Sequence, residues 1–204
     1  YNYSVPLDKW NISDMACDYV FLGNKTIDFE VPGTLGLVYL HKTWITQKGK
    51  FNAFPFIDAK DYLNNVETHA KLNFIYATLD QLDNAFITKI NKDKTAVLVI
   101  DTYHPHGMAE QRKLFNELIL NNCDAPVIIG RAYGNLSEEQ IQLYAATDMG
   151  ALLVDGLGDG VFIAAENCGS DSMLIQLAFG ILQATRTRIS KTEYISCPSC
   201  GRTL

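Results

Sequence analysis

Ala96-Val-Leu-Val-Ile100, followed by Met108 to Asn122 with Leu114, Phe115, Leu118 and Ile119 spaced to share one face, is the stretch on which the fold class turns. A short unbroken apolar run reads as a buried strand, and the amphipathic stretch after it reads as a helix. The same βα order recurs on either side. Leu72-Asn-Phe-Ile-Tyr76 precedes a helical stretch around Asp80 to Asn91. Pro126-Val-Ile-Ile129 leads to a helix in which Ser137 and Gln140 have capping-box spacing and Ile141, Tyr144 and Ala145 form the apolar stripe. Strand-then-helix repetition of this kind is the mark of an α/β domain on parallel strands.

Working outward, Ala151-Leu-Leu-Val154 reads as another buried strand and Val161-Phe-Ile163 as one more. A last helix is expected to start at Ser170 or Asp171, to turn Leu174, Leu177, Ala178, Ile181 and Leu182 inward, and to end in a basic stretch with Arg186 and Arg188. Upstream, Tyr19 to Leu22, Leu35 to Leu40 and Phe54 to Ile57 have the composition of strands. Seven or eight strands in a chain of this length predict a compact or incomplete TIM-barrel-like α/β domain built of parallel βα units, with a doubly wound open sheet as the alternative.

The 204 residues are 48% hydrophobic and 20% charged, which excludes a disordered or fibrous chain and allows a core without disulfide staples. A net charge of −6 supplies no field to attract a polyanion, so nucleic acid is not an expected partner. No apolar run approaches the length of a bilayer span, so neither membrane insertion nor secretion is expected. Five cysteines at unrelated spacings fit a reducing, bacterial cytoplasm better than a disulfide framework. A start at Tyr1 and an end at Leu204, just after a cysteine pair, suggest a piece of a longer protein.

Three features carry chemistry. Asp101-Thr-Tyr-His-Pro-His106 follows a strong strand, which puts Asp101, His104 and His106 at the strand end where barrel enzymes keep their active sites, with His41 as a candidate third nitrogen ligand. A solvated loop shaped by Pro105 is the plainer reading, and no further carboxylate cluster completes a metal site. Asp155-Gly-Leu-Gly-Asp-Gly160 offers backbone N–H groups to a phosphate but fits neither dinucleotide nor Walker patterns, and a tight turn between two strands explains it as well.

Cys197-Pro-Ser-Cys200 is the sharpest feature, because two thiolates three positions apart can hold one metal centre. A zinc ribbon needs a second knuckle, which Cys17, Cys123 and Cys168 do not form. A redox pair needs a helix opening at the first cysteine. An iron–sulfur site with further ligands elsewhere, and a chance pair in a tail, complete the alternatives.

Ser190 to Leu204, with Leu152-Leu-Val-Asp-Gly-Leu-Gly-Asp-Gly160 and Phe179-Gly-Ile-Leu-Gln-Ala-Thr-Arg-Thr-Arg-Ile189 upstream, resembles the (E)-4-hydroxy-3-methylbut-2-enyl diphosphate synthase family of isoprenoid biosynthesis in its large, three-domain form. The resemblance implies that residues 1–189 are the barrel-like middle domain inserted between a catalytic barrel and a C-terminal iron–sulfur domain, and that residues 190–204 open the latter. It implies a 4Fe-4S cluster held by three cysteines and a glutamate, with Cys197 and Cys200 as the first two ligands. It also implies reductive opening of 2-C-methyl-D-erythritol 2,4-cyclodiphosphate by the parent, with ferredoxin or flavodoxin as electron donor; a homodimeric parent is compatible with it. On this reading the insert is architectural, and the piece alone carries no cluster and no activity. The rival from another class is a small-molecule-binding or metal-dependent hydrolase domain using Asp101, His104 and His106.

Overall fold

A computed structural model describes residues 1–193. The chain opens with an antiparallel hairpin, β1 (Asn2–Ser4) and β2 (Lys9–Asn11). Seven further strands form one sheet: β3 (Tyr19–Gly23), β4 (Gly36–Leu40), β5 (Ala53–Asp58), β6 (Asn73–Ala77), β7 (Ala96–Ile100), β8 (Val127–Gly134) and β9 (Gly160–Glu166). Helices α1 (His41–Gln47), α2 (Ala59–Leu63), α3 (Asn84–Lys92) and α4 (Gly107–Leu120) follow β4 to β7 in turn. Between β8 and β9 lie α5 (Glu138–Ala145) and α6 (Ala151–Val154), and α7 (Asp171–Ala184) follows β9.

Every neighbouring pair in the seven-stranded sheet is parallel, and the spatial order is the sequence order. An order that never reverses, combined with crossovers of one hand, puts all the helices on one face and has no switch point, which excludes the doubly wound alternative. The sheet curls into a half-barrel of the TIM type. Strand β7 shows how the curl is filled. Ala96, Leu98 and Ile100 face the helices and join Ile57, Ile75, Ile129, Phe86 and Leu114, whereas Val99 faces inward with Val38 and Phe74.

The expected strands of the sheet are present at 19–23, 36–40, 53–58, 73–77, 96–100, 127–134 and 160–166, but Ala151–Val154 is helical. From Glu138 the chain stays helical to Val154 through one wide π turn, Ala146–Gly150. Ile141, Ala145, Met149, Leu152 and Leu153 are its buried stripe. A four-residue apolar run has no period of its own, and here it is the end of a helical stripe. The neighbour of β8 is therefore β9 rather than residues 151–154.

The glycine-rich stretch then joins a helix to a strand instead of two strands. Gly158 has φ of +92°, and a Cβ there would come within 2.8 Å of Ile129, so both backbone angle and space demand glycine. The capping box at Ser137 and Gln140 forms as expected, and Ser170 caps α7. Ile119 and Tyr144, expected inside, are exposed, because each sits at the margin of its helix's buried face. In α7, Ile181 is buried and Leu177 and Leu182 pack against the core, while Phe179 and Gln183 are buried too.

Leu98 is completely buried and Leu143 is 64% exposed. Leu98→Ala is expected to lower the unfolding free energy by about 2–5 kcal/mol, and Leu143→Ala to stay within about 0.5 kcal/mol, in urea titrations of the two variants.

Candidate functional site

At the C-terminal ends of the strands, β7 runs directly into Asp101. Alternation aims that carboxyl to the inner face, toward Tyr76 of β6. Thr102 N–H donates to Asp101 Oδ1 at 2.7 Å, and the Tyr76 hydroxyl reaches Oδ2 at 3.5 Å. Tyr76 Oη also lies 3.1 Å from the hydroxyl of Tyr103, whose ring is otherwise exposed. Burial pushes the Asp101 carboxyl above the usual carboxylate range, opposed by the Thr102 N–H, the Arg131 charge and the Tyr76 hydroxyl. Burial and then the bond to Tyr103 push Tyr76 upward. Both groups therefore hold their protons more tightly than in water.

On the helix side of the same strand ends stands Arg131. Its Nε donates to Asp148 Oδ2 at 2.9 Å and its Nη1 to the Thr102 carbonyl at 2.5 Å, and Tyr133 Oη donates to the same Asp148 oxygen at 3.1 Å. The guanidinium passes so close over the start of α4 that a Cβ on Gly107 would meet Arg131 Cζ at 2.4 Å. Gln111, fully buried one turn on, donates to the carbonyls of Ile100 and Gly130. These bonds lock α4 and the π turn to β7 and β8. The buried pair is supported by the further bonds of Arg131 Nη1 to the Thr102 carbonyl and of Tyr133 to Asp148 Oδ2.

The histidines take no part in that network. His104 and His106 are exposed, with ring centroids 5.6 Å apart, and His104 Nδ1 accepts the N–H of His106. His41 begins α1, where Nε2 lies 2.8 Å from the Glu67 carbonyl and the ring packs on Trp44. Among the described residues no group of three or more His, Cys, Asp or Glu side chains could hold a metal ion. In the glycine-rich stretch the N–H groups of Asp155, Gly156, Leu157 and Asp159 all bond to carbonyls of the chain itself, so they are not offered to a phosphate. Cys197 and Cys200 lie outside the described residues.

Inside the curl, Phe21, Phe56 and Phe162 meet in a three-ring cluster, with centroids 5.0, 5.4 and 6.2 Å apart. Tyr76 packs on Phe56, and Tyr19 stands edge-on to Phe54 and Phe74. Phe21 belongs to the first strand of the sheet and Phe162 to the last, so this contact crosses the open side of the barrel. A cavity of about 350 Å³ remains beside it, bordered by Cys17, Asp18, Asp159 and Arg188, which lie at or before the N-terminal ends of β3 and β9 or just after α7. It therefore opens away from the end where barrel enzymes hold their catalytic groups.

Sequence reasoning found Asp101 from its place after a strand but missed Arg131, Asp148 and the ring cluster. Arg131, a charge in the middle of the strand after Val127-Ile-Ile-Gly130, was the available signal.

These features define a class: a parallel α/β half-barrel related to the TIM barrel, filled by its own aromatic side chains. Over one segment of their length, the chain is similar to proteins named 4-hydroxy-3-methylbut-2-en-1-yl diphosphate synthase. It is 40% identical over 187 residues to the protein so named, with the qualifier flavodoxin, from Parabacteroides distasonis, a match covering 92% of this chain and 30% of that protein. The one from Bacteroides fragilis is 35% identical over 188 residues, 92% of this chain and 29% of its own length. The one from Protochlamydia amoebophila is 48% identical over 107 residues, 52% of this chain and 16% of its own. The chain thus spans about 30% of the length of the curated relatives that it matches most fully. No protein-family model matches it.

A carboxyl whose pKa is raised by folding stabilises the fold fully below its unfolded value and loses that contribution as pH rises through the folded one. Asp101→Asn removes the ionisation, so the variant is expected to gain on the wild type in unfolding free energy as pH rises from about 3 to about 6, read from denaturant titrations across that range. A constant difference would contradict the burial effect.

Proposed function

We propose that residues 1–189 are the inserted middle domain of a 4-hydroxy-3-methylbut-2-en-1-yl diphosphate synthase and that residues 190–204 open its iron–sulfur domain. The whole protein then opens 2-C-methyl-D-erythritol 2,4-cyclodiphosphate reductively, with flavodoxin, the carrier in the relatives' names, or ferredoxin as donor. The observation that carries the domain reading is the convergence of the two ends. Tyr1, Ser13, Asp14 and Asp18 line one groove with Arg188 to Thr192, and Arg188 forms an ion pair with Asp18. A domain inserted into another protein must leave and return at neighbouring points, and the proximity of residues 1–18 to 188–192 supports that reading.

The role of the insert is architectural: it sets the distance and angle between the catalytic barrel and the cluster domain. The ring cluster of Phe21, Phe56 and Phe162 supports this, since the interior space it leaves is a cavity bordered by Asp18, Asp159 and Arg188, away from the C-terminal strand ends. The bonds of Asp101 to Thr102 and Tyr76, and on the other face the ion pair of Arg131 with Asp148, support it too, because they engage these groups within the chain. A hydrolase using Asp101, His104 and His106 gains no support from the exposed histidines, of which His104 Nδ1 accepts the backbone N–H of His106.

The donor set fits an iron–sulfur group in type, since thiolates are the usual ligands of such clusters, and Cys197 with Cys200 would hold two of its irons. When bound, the cluster would supply electrons and an open iron position for a substrate oxygen. What this chain contributes is the placing of that ligand pair.

Produced anaerobically, the full-length parent is expected to be brown and to reduce the cyclic diphosphate with dithionite and a viologen, and Cys197→Ser or Cys200→Ser is expected to abolish both. The 204-residue chain alone is expected to be colourless, free of iron and sulfide, and inactive. Retention of cluster and activity after both cysteines are replaced would overturn the assignment.

A further inference from the structure

We infer that the β1–β2 hairpin is a docking surface whose occupant is an apolar face on the flanking part of the same polypeptide. The inference rests on the function proposed above and deepens it by naming where the insert meets its parent. From Tyr1 to Met15 no residue is buried. Yet this stretch carries Tyr3, Val5, Leu7, Ile12 and Met15 as exposed large apolar side chains, Val5 at 77%. None of them belongs to the three buried clusters of the half-barrel.

The hairpin is nonetheless a built structure. Asn2, Tyr3 and Ser4 pair with Asn11, Trp10 and Lys9, and the rings of Tyr3 and Trp10 pack with centroids 5.2 Å apart. A single helical turn, Val5–Leu7, joins the strands, and the Tyr3 hydroxyl donates to Asp8 beyond it. The Tyr1 hydroxyl donates to the Cys17 carbonyl at 3.1 Å, which ties the base of the hairpin to the leading end of β3. Two strands alone are marginal in water, and a hairpin that also shows its apolar side chains to solvent lacks the burial that offsets the entropy of ordering it. Such a surface calls for a cover.

Two observations choose that cover. The chain spans about 30% of the length of its relatives, so on the proposed function most of the polypeptide lies outside it. The apolar surface also continues across the pole at which the insert joins its parent on that reading: Ile12 lines one groove with Ile189, itself 77% exposed, and Tyr1, Ser13 and Asp14 line it with Ser190 to Thr192. A flanking domain tethered beside this groove is held at an effective concentration in the millimolar range, so a patch of a few apolar side chains suffices for it. A second copy would have to find the same patch untethered, for which a far larger interface is the rule. Asp8, Lys9 and Asp14, all exposed, are the charges that surround the apolar residues along this stretch.

The test uses the full-length parent, the 204-residue chain, and the parent carrying Val5→Asp together with Leu7→Asp. Both positions are exposed, so the two substitutions leave the half-barrel intact. Amide hydrogen exchange across residues 2–11 is expected to be about tenfold slower or more in the parent than in the 204-residue chain, and the double variant to return it to the faster rate. Leu98 and Ile100 are expected to stay slowly exchanging in all three, as reporters of the fold.

Equal exchange across residues 2–11 in the parent and the 204-residue chain would overturn the inference. So would a double variant that keeps the parent's protection. Protection that appears in the 204-residue chain as its concentration rises, with a dimer in sedimentation, would give the patch to a second copy and overturn it as well. A wild-type parent that assembles no cluster and leaves the cyclic diphosphate unreduced would instead refute the proposed function, and because exchange is read independently of both, the two failures are distinguishable.

Discussion

Parallel strands whose apolar residues point both ways must be covered on both faces, and this chain has helices for only one of them. Leu98, Ile100, Ile75 and Ile129 are covered by α2 to α7. Val38, Phe74 and Val99 have no second helical layer. The sheet solves this by curling on itself, so that its inner face becomes its own cover. Phe21 on the first strand then reaches Phe162 on the last. Burying one such side chain contributes about 1.5–3 kcal/mol, enough that several of them decide between a flat and a curled sheet. Most other features described above follow from that demand for inward cover.

One of them is the state of the C-terminal strand ends. In a barrel enzyme this end is left open and carries groups aimed at a ligand. Here aromatic rings crowd the inner volume below it, and the cavity they leave lies toward the other end. Asp101 is bonded by Thr102 and Tyr76, and Arg131 is shared between Asp148 and the Thr102 carbonyl. A buried ion pair of this kind is weak evidence for stability, but it is strict about geometry, because removing one partner strands the other. Its effect is to fix α4 and the π turn against β8.

The remaining cavity and the meeting of the two chain ends lie together at the opposite pole. Asp18 and Arg188 border both the inner cavity and the groove shared by residues 1–18 and 188–192. Arg188 is tied to Asp18 there, and Gln183 holds residues 190–193. A rigid body with both connections at one pole transmits an orientation across that pole. The function proposed here requires that property of an insert, and it requires no chemistry of the insert itself.

The sequence by itself determined the class of fold. Unbroken apolar runs at 96–100 and 126–129, each followed by a helical period, can be buried only as parallel strands under helices, and capping residues such as Ser137 and Ser170 mark helix starts through bonds made within one turn. It also pointed to Asp101 and to the family, through residues whose order along the chain is itself the signal. Only the tertiary structure decided the rest, because the deciding partners are far apart in sequence. Ala151 to Val154 are helical because Met149 and Ala145 bury the same face, which four apolar residues cannot announce. Phe21 and Phe162 are 141 positions apart and become neighbours only when the sheet curls. Arg131, Asp148 and Gly107 form one contact from three elements. Gln183 reads along the chain as one more polar residue on a helix, and its role exists only once the chain has turned back upon it.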